Sequence, residues 1–331
     1  MIQNITQEGT RHRVLAELRR YRGEYISGED LSRRLGLSRT AIWKHVQALR
    51  QEGYQIDAST RRGYALLAVP DCLYPEEVTS ALKTAWLGRS FYYYDEVGST
   101  NQVAKELADA GAPEGAVVVA ERQTSGRGRL GRFWLSPAGK GIWVSLILRP
   151  RVSPMQLPQL SLLAAVAVKE SIEEATGLRP GIKWPNDLLL RERKVAGILT
   201  EMRAEIDTTQ YVVLGIGINV NLEREDFTPE LESQATSLRL EAGREVARLS
   251  LLNALLCRLE YWYERWLEEG FSPVRAAWKE ASITLGRQVK VIASDKVYLG
   301  VARDIDGEGA LVMEEAAGGL RRFTYGEVSL R

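Results

Sequence analysis

A short stretch at residues 126–132 combines the two residue types that an anion-binding site needs. It reads Gly-Arg-Gly-Arg-Leu-Gly-Arg, and its glycines let the backbone turn tightly and approach a ligand closely. Arginine adds a planar, permanently charged donor that suits phosphate or carboxylate. The stretch lacks both the Gly-Lys-Ser/Thr of a phosphate-binding loop and the spacing of a dinucleotide fingerprint. A flexible RNA-binding segment is the alternative. We favour an ordered anion-binding loop because strong predicted strands flank it.

A second polar string reads Lys-Trp-Pro-Asn-Asp at residues 183–187. Proline ends regular strand pairing, so Asn186 and Asp187 are expected where a strand opens. An isolated Asn-Asp pair most often forms a turn. Lys183, four residues before Asp187, and the rigid tryptophan beside it make a ligand site a second interpretation.

Two further segments carry candidate residues. Residues 188–199 read as a hairpin with its turn near 191–193, and Lys194 follows that turn. A lysine after a turn is usually only solvated, so by itself Lys194 is a weak candidate. In Gly-Ile-Gly-Ile-Asn-Val-Asn, residues 215–221, glycines lie inside a strand. Glycine weakens the interior of a strand, so it is normally found there only where a ligand or another backbone comes close.

The elements around these segments predict a mixed α+β region. We expect strands at residues 91–97, 115–123, 141–150, 181–190, 194–202 and 211–220, with helices at 100–111 and 157–177. Strand runs with helices between them indicate a sheet covered by helices. A further helix at residues 250–269, rich in Leu, Tyr and Trp, is expected to be core. Short glycine-punctuated strands after residue 283 predict a small SH3-like β-barrel.

Residues 1–68 have an organisation of their own. Apolar spacing predicts a helix over residues 11–21. A second helix is expected to be capped by Ser27, with Asp30 at the capping-box position whose side chain bonds back to the N-cap backbone. A third is expected to be capped by Ser38 and to end near residue 50. The tight Gly36 turn makes the last two a helix-turn-helix. A hairpin follows, with Arg61 and Arg62 at its tip. The sequence therefore predicts a winged helix-turn-helix, with domains at residues 1–68, 69–282 and 283–331.

The charge distribution indicates what this first region binds. The whole chain of 331 residues has a net charge of only +1, but residues 1–68 carry 12 basic and 7 acidic residues and the remainder is net acidic. The first turns of a recognition helix meet base edges in the major groove. The predicted DNA-binding residues are Ser38, Arg39, Thr40, Trp43, Lys44, Arg61 and Arg62. A helical domain with a merely solvated basic face and a protein-binding winged helix are the alternatives. Whether Trp43 reads bases or packs inside stays open.

Composition excludes several classes of protein. Hydrophobic residues make up 45% and charged residues 26%, as in ordinary globular proteins. Two cysteines and two histidines provide neither a disulfide framework nor zinc-ligand spacing. The first residues lack a signal-peptide pattern, and the longest apolar run is far shorter than the roughly 20 residues that span a bilayer. We therefore expect a cytoplasmic protein without a membrane partner.

In order along the chain, five motifs resemble those of the biotin protein ligases that also repress the biotin operon. Ser-Thr-Asn (99–101), Gly-Arg-Gly-Arg-Leu-Gly-Arg, Lys-Trp-Pro-Asn-Asp-Leu, Lys-Val-Ala-Gly-Ile-Leu and Gly-Ile-Gly-Ile-Asn match the family's patterns, behind a winged helix. The ending Tyr-Gly-Glu-Val-Ser-Leu-Arg is also similar, and Glu327 and Arg331 match the family's terminal pair. A surface ion pair is the alternative for those two residues. The resemblance covers essentially the whole chain.

The resemblance implies a fold and an activity. The central sheet is expected to be like that of class II synthetases. Biotin and ATP, with Mg²⁺, would form biotinyl-5′-adenylate and pyrophosphate, and a lysine of a biotin carboxyl carrier protein would then take the biotin. Bound adenylate would act as co-repressor by promoting a homodimer that binds operator DNA. Two alternatives remain: a biotin-sensing transcription factor with little ligase activity, and a lipoate-type acyl-carrier ligase.

The resemblance also implies a role for individual residues. Catalysis is expected from Lys194, Arg129 and Asp187, with Asp187 a candidate general base whose role stays open. The biotin site would consist of Ser99, Thr100, Asn101, Gln123, Arg127, Gly128, Arg129 and Lys194. The ATP or adenylate site would consist of Gly126, Arg127, Arg129, Arg132, Trp134, Lys183, Asn186 and Asn219. No metal ligands are expected from the protein.

Overall fold

The computed structural model describes residues 3–4, 10–21, 23–204, 209–294, 296–316 and 318–330. The chain divides into two compact units, one of them Asn4–Cys72 and the other Leu73–Arg331 with Met1–Gln3. Arg331, the predicted partner of Glu327, lies outside the described residues.

The Asn4–Cys72 unit contains three helices and a hairpin. After the two-residue strand β1 (Gln3–Asn4) come α1 (Thr10–Arg20), α2 (Gly28–Leu35), α3 (Arg39–Gln51), β2 (Gln55–Ser59) and β3 (Gly63–Ala68). The predicted apolar faces are all buried: Val14, Leu15, Leu18, Leu31, Leu35, Ile42, Val46 and Leu49. The hydroxyls of Ser27 and Ser38 accept backbone N–H bonds at the starts of α2 and α3. The winged-helix arrangement is confirmed.

The larger unit is built on one mixed sheet. Its strands are β4 (Phe91–Val97), β5 (Val117–Gln123), β6 (Gly141–Leu148), β7 (Gly181–Lys183), β8 (Asp187–Leu190), β9 (Arg193–Ala204) and β10 (Thr209–Asn219). They lie in the order β4-β5-β6-β10-β9-β8-β7. Strands β4 and β5 are parallel, whereas β5 to β10 pair antiparallel along this order. The predicted α+β class is confirmed.

Helices cover both faces of this sheet. They are α4 (Pro75–Ala81), α5 (Thr100–Asp109), α6 (Gln159–Thr176), α7 (Pro229–Glu232), α8 (Leu238–Ala242), α9 (Arg248–Glu269) and α10 (Ser272–Ala281). The long helices α6 and α9 pack together within the main core, and α5 packs Ala104 and Ala108 against Val118 and Val213 of the sheet. Because both faces are covered, every residue of the apolar strand β6 is buried.

The predicted strand 181–190 is divided in the structure. The turn at residues 184–186 interrupts it, so that Lys183 pairs directly with Asp187 across the β7–β8 hairpin. Arg191 and Glu192 form the predicted turn between β8 and β9, with φ of 47° and 66°.

The end of the chain forms a separate five-stranded antiparallel sheet. Its strands β11 (Gln288–Ala293), β12 (Lys296–Ile305), β13 (Leu311–Glu315), β14 (Leu320–Phe323) and β15 (Glu327–Leu330) lie in the order β14-β13-β12-β11-β15. The stretch 319–330 contains both β14 and β15. In the part of the chain described here, no helix has the length and apolarity that a membrane span requires.

Candidate active site

A cavity of about 500 Å³ opens in the Leu73–Arg331 unit and brings together most of the predicted ligand residues. Those lining it are Ser99, Thr100, Asn101, Gln123, Arg127, Gly128, Arg129, Arg132, Trp134, Lys183, Asn186, Asp187, Lys194 and Asn219. They come from five strands, the start of α5, the loop after β5 and the turn between β7 and β8. The predicted residue that does not line the cavity is Gly126. A Cβ there would lie 2.4 Å from the carbonyl oxygen of Trp134.

The glycine-arginine loop is an ordered turn. The N–H of Gly128 donates to the carbonyl of Arg132 at 2.7 Å, and the N–H of Trp134 donates to the carbonyl of Gly126 at 2.9 Å. Between them, residues 129–131 form a single 3₁₀ turn. Leu130 and Phe133 are 78% and 62% exposed at the mouth of the cavity. These two backbone hydrogen bonds therefore fix the conformation of the loop that carries the arginines.

Arg129 joins three parts of the unit. Its guanidinium donates to the side-chain oxygen of Asn186 at 3.1 Å and to the carbonyl of Gly326 at 3.2 Å. Burial lowers the pKa of Arg129, while the charges of Asp187 and Glu327 oppose that shift. Arg129 thus connects the glycine-arginine loop, the turn before β8 and the segment before β15.

Lys194 lies beside an acidic and an aromatic side chain. Its ammonium is 2.6 Å from Asp187 Oδ1 and 5.0 Å from the centroid of the Trp134 ring. Among the described residues, Asp187 Oδ1 and the Trp134 indole nitrogen are buried atoms without a hydrogen-bond partner. The contact of Lys194 with Asp187 is therefore ionic, and the indole nitrogen of Trp134 makes no hydrogen bond within the protein.

Further cations surround the same space. Arg132 lies 2.5 Å from the carboxylate of Glu327, and this hydrogen bond raises the pKa of Arg132 and lowers that of Glu327. Burial lowers the pKa of Lys183, and the nearby Lys194 adds to the effect while Asp187 opposes it. With Arg127, Arg129 and Lys194, these side chains make five cations around one cavity. Such a cavity suits a ligand with several negative charges.

Four of the residues that line the cavity, Ser99, Thr100, Asn101 and Gln123, are polar but uncharged. We call the part of the cavity that they line its neutral end. The side-chain oxygen of Gln123 accepts from the backbone N–H of Thr100 at 2.8 Å and lies 3.1 Å from its hydroxyl. The amide nitrogen of Asn101 donates to Glu201 at 2.8 Å. Ser99, Thr100 and Asn101 are all buried at the start of α5. Their fixed donors and acceptors suit a small neutral polar group.

Strand glycines give two side chains room on the sheet. A Cβ on Gly215 would lie 2.1 Å from Asn101 Oδ1, and one on Gly217 would lie 2.6 Å from Trp134 Nε1. Glycine is required in this strand by a close approach, but the approaching atoms belong to side chains of this chain and not to the ligand or second backbone that the sequence analysis expected.

One supporting segment was missed by the sequence analysis. The N–H of Lys194 donates to the carbonyl of Gln234 at 2.8 Å, and the N–H of Thr236 donates to the carbonyl of Lys194 at 2.9 Å. The buried Asn219 donates to the carbonyl of Thr236 at 3.0 Å. These contacts hold residues 234–236 against Lys194. No local pattern in the sequence indicates them, because each joins distant parts of the chain.

The predicted DNA-binding residues lie on the surface of the Asn4–Cys72 unit. Ser38, Arg39, Thr40, Trp43, Lys44, Arg61 and Arg62 are all exposed, Trp43 by 53%. Arg39 forms an exposed ion pair with Glu29 at 2.9 Å. Arg62 lies 3.9 Å from the centroid of the Tyr25 ring and donates to its hydroxyl at 3.0 Å. Trp43 therefore does not pack inside, and Arg62 fastens the hairpin tip to the body of the unit.

Known proteins resemble this chain over nearly its whole length. Family models match as follows: an HTH domain at residues 10–65, the Biotin/lipoate A/B protein ligase family at 93–219 and the Biotin protein ligase C terminal domain at 284–331. The bifunctional ligase/repressor BirA of Bacillus subtilis (strain 168) is 45% identical over 295 residues, covering 89% of this chain and 91% of that protein. The chain belongs to the bifunctional biotin protein ligase family.

Two further proteins are similar to this chain, one over nearly its whole length and one over about three quarters of it. The bifunctional ligase/repressor BirA of Escherichia coli (strain K12) is 33% identical over 309 residues, covering 93% of this chain and 94% of that protein. A biotin protein ligase from Aquifex aeolicus, solved in complex with biotin and ATP, is 31% identical with a TM-score of 0.64. It covers 73% of this chain and 99% of its own.

Proposed function

We propose that this protein is an ATP-dependent biotin protein ligase that also represses transcription. It would join biotin to ATP as biotinyl-5′-adenylate, release pyrophosphate and transfer biotin to a lysine of a biotin carboxyl carrier protein. The single observation that carries the proposal is the cavity that brings five cations together with a group of fixed neutral polar side chains. A carboxylate and a polyphosphate fit the cations, and a ureido ring fits the neutral end.

The first step requires two anions to meet. The biotin carboxylate attacks the α-phosphorus of ATP, an oxygen–phosphorus bond forms, and pyrophosphate leaves. No covalent enzyme intermediate is needed. Lys194 and Arg129 provide fixed positive charge where negative charge develops, which stabilises the transition state. Positioning of both substrates can contribute roughly 7–11 kcal/mol at best.

The second step transfers the acyl group. The carrier lysine, as a neutral amine, attacks the biotinyl carbonyl carbon, an amide forms, and AMP leaves with the anhydride oxygen. A base must take the amine proton, and Asp187 stays our candidate because it lies at the cavity beside Lys194. A glycine-rich loop that closes over the mixed anhydride would exclude water from it.

Mg²⁺ enters this proposal with its substrate. Among the described residues there is no group of three or more His, Cys, Asp or Glu side chains that could hold a metal ion. Mg²⁺ would be bound to the polyphosphate of ATP and would neutralise part of its negative charge.

A label-transfer experiment tests the proposed activity. The full-length protein is incubated with ATP, an acceptor domain and either labelled biotin or labelled lipoate. Label transferred from biotin but not from lipoate supports the proposal. Transfer from lipoate would favour a lipoate-type ligase, and absence of transfer from both would leave a biotin-sensing transcription factor. The complete set of loop arginines and Lys194 favours the ligase over that sensor.

Removing Arg129 is expected to release the intermediate early. Without its bonds to Asn186 and Gly326 the glycine-arginine loop loses its anchor. Arg129→Gly should therefore keep some adenylate formation but retain adenylate poorly in a rapid-filtration assay. Arg244→Gly, on an exposed loop, is the control and should retain adenylate like the wild type. Unchanged retention by Arg129→Gly would remove Arg129 from this role.

We further propose that residues 1–68 bind operator DNA, while residues 69–282 bind biotin and ATP and residues 283–331 cap the catalytic region. The exposed basic first turn of α3 and the basic hairpin tip support the DNA role. Bound biotinyl-5′-adenylate would promote a homodimer, and the dimer would bind a palindromic operator. The protein would in this way stop biotin synthesis when the ligase has no acceptor left.

DNA binding is expected to depend on ligand and on Arg39. In footprinting on promoter DNA of the biotin-synthesis genes, biotin with ATP should strengthen protection. Arg39→Ala should weaken protection roughly 10- to 100-fold, the usual value of a bidentate contact to guanine, and leave biotin transfer within about twofold of wild type. Arg244→Ala serves as the control. Equal protection with and without biotin and ATP would contradict the proposed switch.

A further inference from the structure

A chain of hydrogen bonds runs behind the neutral end of the cavity. Ser145, on β6, is completely buried, and its hydroxyl lies 2.8 Å from Thr100 Oγ1 and 2.6 Å from Asn101 Oδ1. The Asn101 amide continues to Glu201, which also forms an ion pair with Lys105 at 3.0 Å. Ser145 and Glu201 do not line the cavity. Their effect on a ligand must therefore pass through Thr100 and Asn101, which do line the cavity.

The direction of these bonds follows from counting protons. A carboxylate can only accept hydrogen bonds, so Glu201 orients the Asn101 amide with its nitrogen toward Glu201 and its oxygen toward Ser145. That oxygen has no proton, so the 2.6 Å contact requires the proton of Ser145. Ser145 has one proton, so its contact with Thr100 draws on the proton of Thr100, and the side-chain oxygen of Gln123, 3.1 Å from the same hydroxyl, also can only accept. In either arrangement the Thr100 proton is directed at an oxygen of the protein. Donation from Ser145 to Thr100 instead would place two lone pairs against each other at the 2.6 Å contact with Asn101.

The electrostatics of Glu201 agree with this direction. Burial by itself would raise the pKa of Glu201, but the hydrogen bonds from Asn101 and Lys105, together with the charge of Arg127, lower it. Glu201 is therefore a stable anion, and the chain of bonds ends at a fixed acceptor. The Thr100 hydroxyl, at the other end, has its proton directed away from the ligand and its lone pairs available.

We propose that Ser145 and Glu201 are positioning residues that hold Thr100 as a hydrogen-bond acceptor and so select a ligand that presents an N–H group there. This inference rests on the proposed function, in which that group is a ureido N–H of biotin. A carboxylic acid without an N–H group there would leave the lone pairs of the Thr100 hydroxyl without a donor. An unpaired buried polar group is a known source of discrimination.

Ser145→Ala tests the proposal in the full-length protein. We expect the KM for biotin in biotin-dependent pyrophosphate exchange to rise roughly tenfold, the effect of losing one buried hydrogen bond. The kcat and the KM for ATP should stay within about twofold. Desthiobiotin, which keeps the ureido group, should weaken as a competitor by the same factor. Ser171→Ala is the matched control, because Ser171 is equally buried and donates at 2.8 Å to Val168, away from the cavity.

A double-mutant cycle separates this role from a merely structural one. Glu201→Gln, at a partly exposed site, should raise the KM for biotin several-fold because glutamine allows the Asn101 amide to turn over. Combined with Ser145→Ala it should add little, since both changes break one chain. Additive effects, or an unchanged KM in both single variants, would overturn the inference. A wild-type protein without biotin-dependent exchange would instead overturn the proposed function itself.

Discussion

Replacing Lys194 with methionine is expected to lower the rate of adenylate formation by roughly 10²- to 10³-fold, the effect of removing one fixed donor from developing negative charge. The Lys194 ammonium is the cation that lies against both Asp187 and Trp134. Methionine keeps an unbranched side chain as far as Cε, the part that passes over Gly197, where a Cβ would lie 3.0 Å from Lys194 Cε. The change therefore removes the charge with little change in packing.

The measurement for Lys194→Met is single-turnover formation of adenylate from labelled biotin. The control is Lys169→Met on α6, a lysine that forms an ion pair with Glu173 at 2.8 Å outside the cavity. The control should react at the wild-type rate, and the unfolding temperatures of both variants should stay close to wild type. If Lys194→Met keeps more than a tenth of the wild-type rate, Lys194 does not provide the charge that we assign to it.

Substituting Gly215 by alanine is expected to raise the KM for biotin roughly 30- to 150-fold, because overpacking and the loss of buried hydrogen bonds together cost roughly 2–3 kcal/mol. The new Cβ would lie 2.1 Å from Asn101 Oδ1, where no real contact is tolerated. Asn101 is held by Glu201, Ser145 and the carbonyl of Leu199. It can move only by breaking those bonds.

Steady-state kinetics with biotin and ATP varied separately measure this effect. The KM for ATP should change much less than that for biotin, since Asn101 belongs to the neutral end of the cavity. Gly319→Ala is the control, because a Cβ there meets no atom within 4 Å. A biotin KM within about threefold of wild type would show that Asn101 is not held where the ligand needs it.

Many of the fold assignments follow from local patterns. Apolar spacing located the three helices of residues 1–68, since a helix that buries one face must repeat its apolar residues at that spacing. Serine caps marked where two of them begin. The interrupted strand at 184–186 shows the limit. Proline indicates that pairing stops there, but the pairing of Lys183 with Asp187 depends on the neighbouring strands as well.

The chain by itself determined which chemistry is available: a loop of glycines and arginines, a lysine after a turn, glycines inside a strand and a basic recognition helix. Only the tertiary structure decided which of these groups meet. Arg129 and Gly326 are 197 residues apart in the chain, and Ser145 and Asn101 are 44 apart. Local sequence carries propensity and capping, which act over a few residues. Strand order, register and the packing of α5 on the sheet bring distant side chains within hydrogen-bonding distance, and these depend on the whole core.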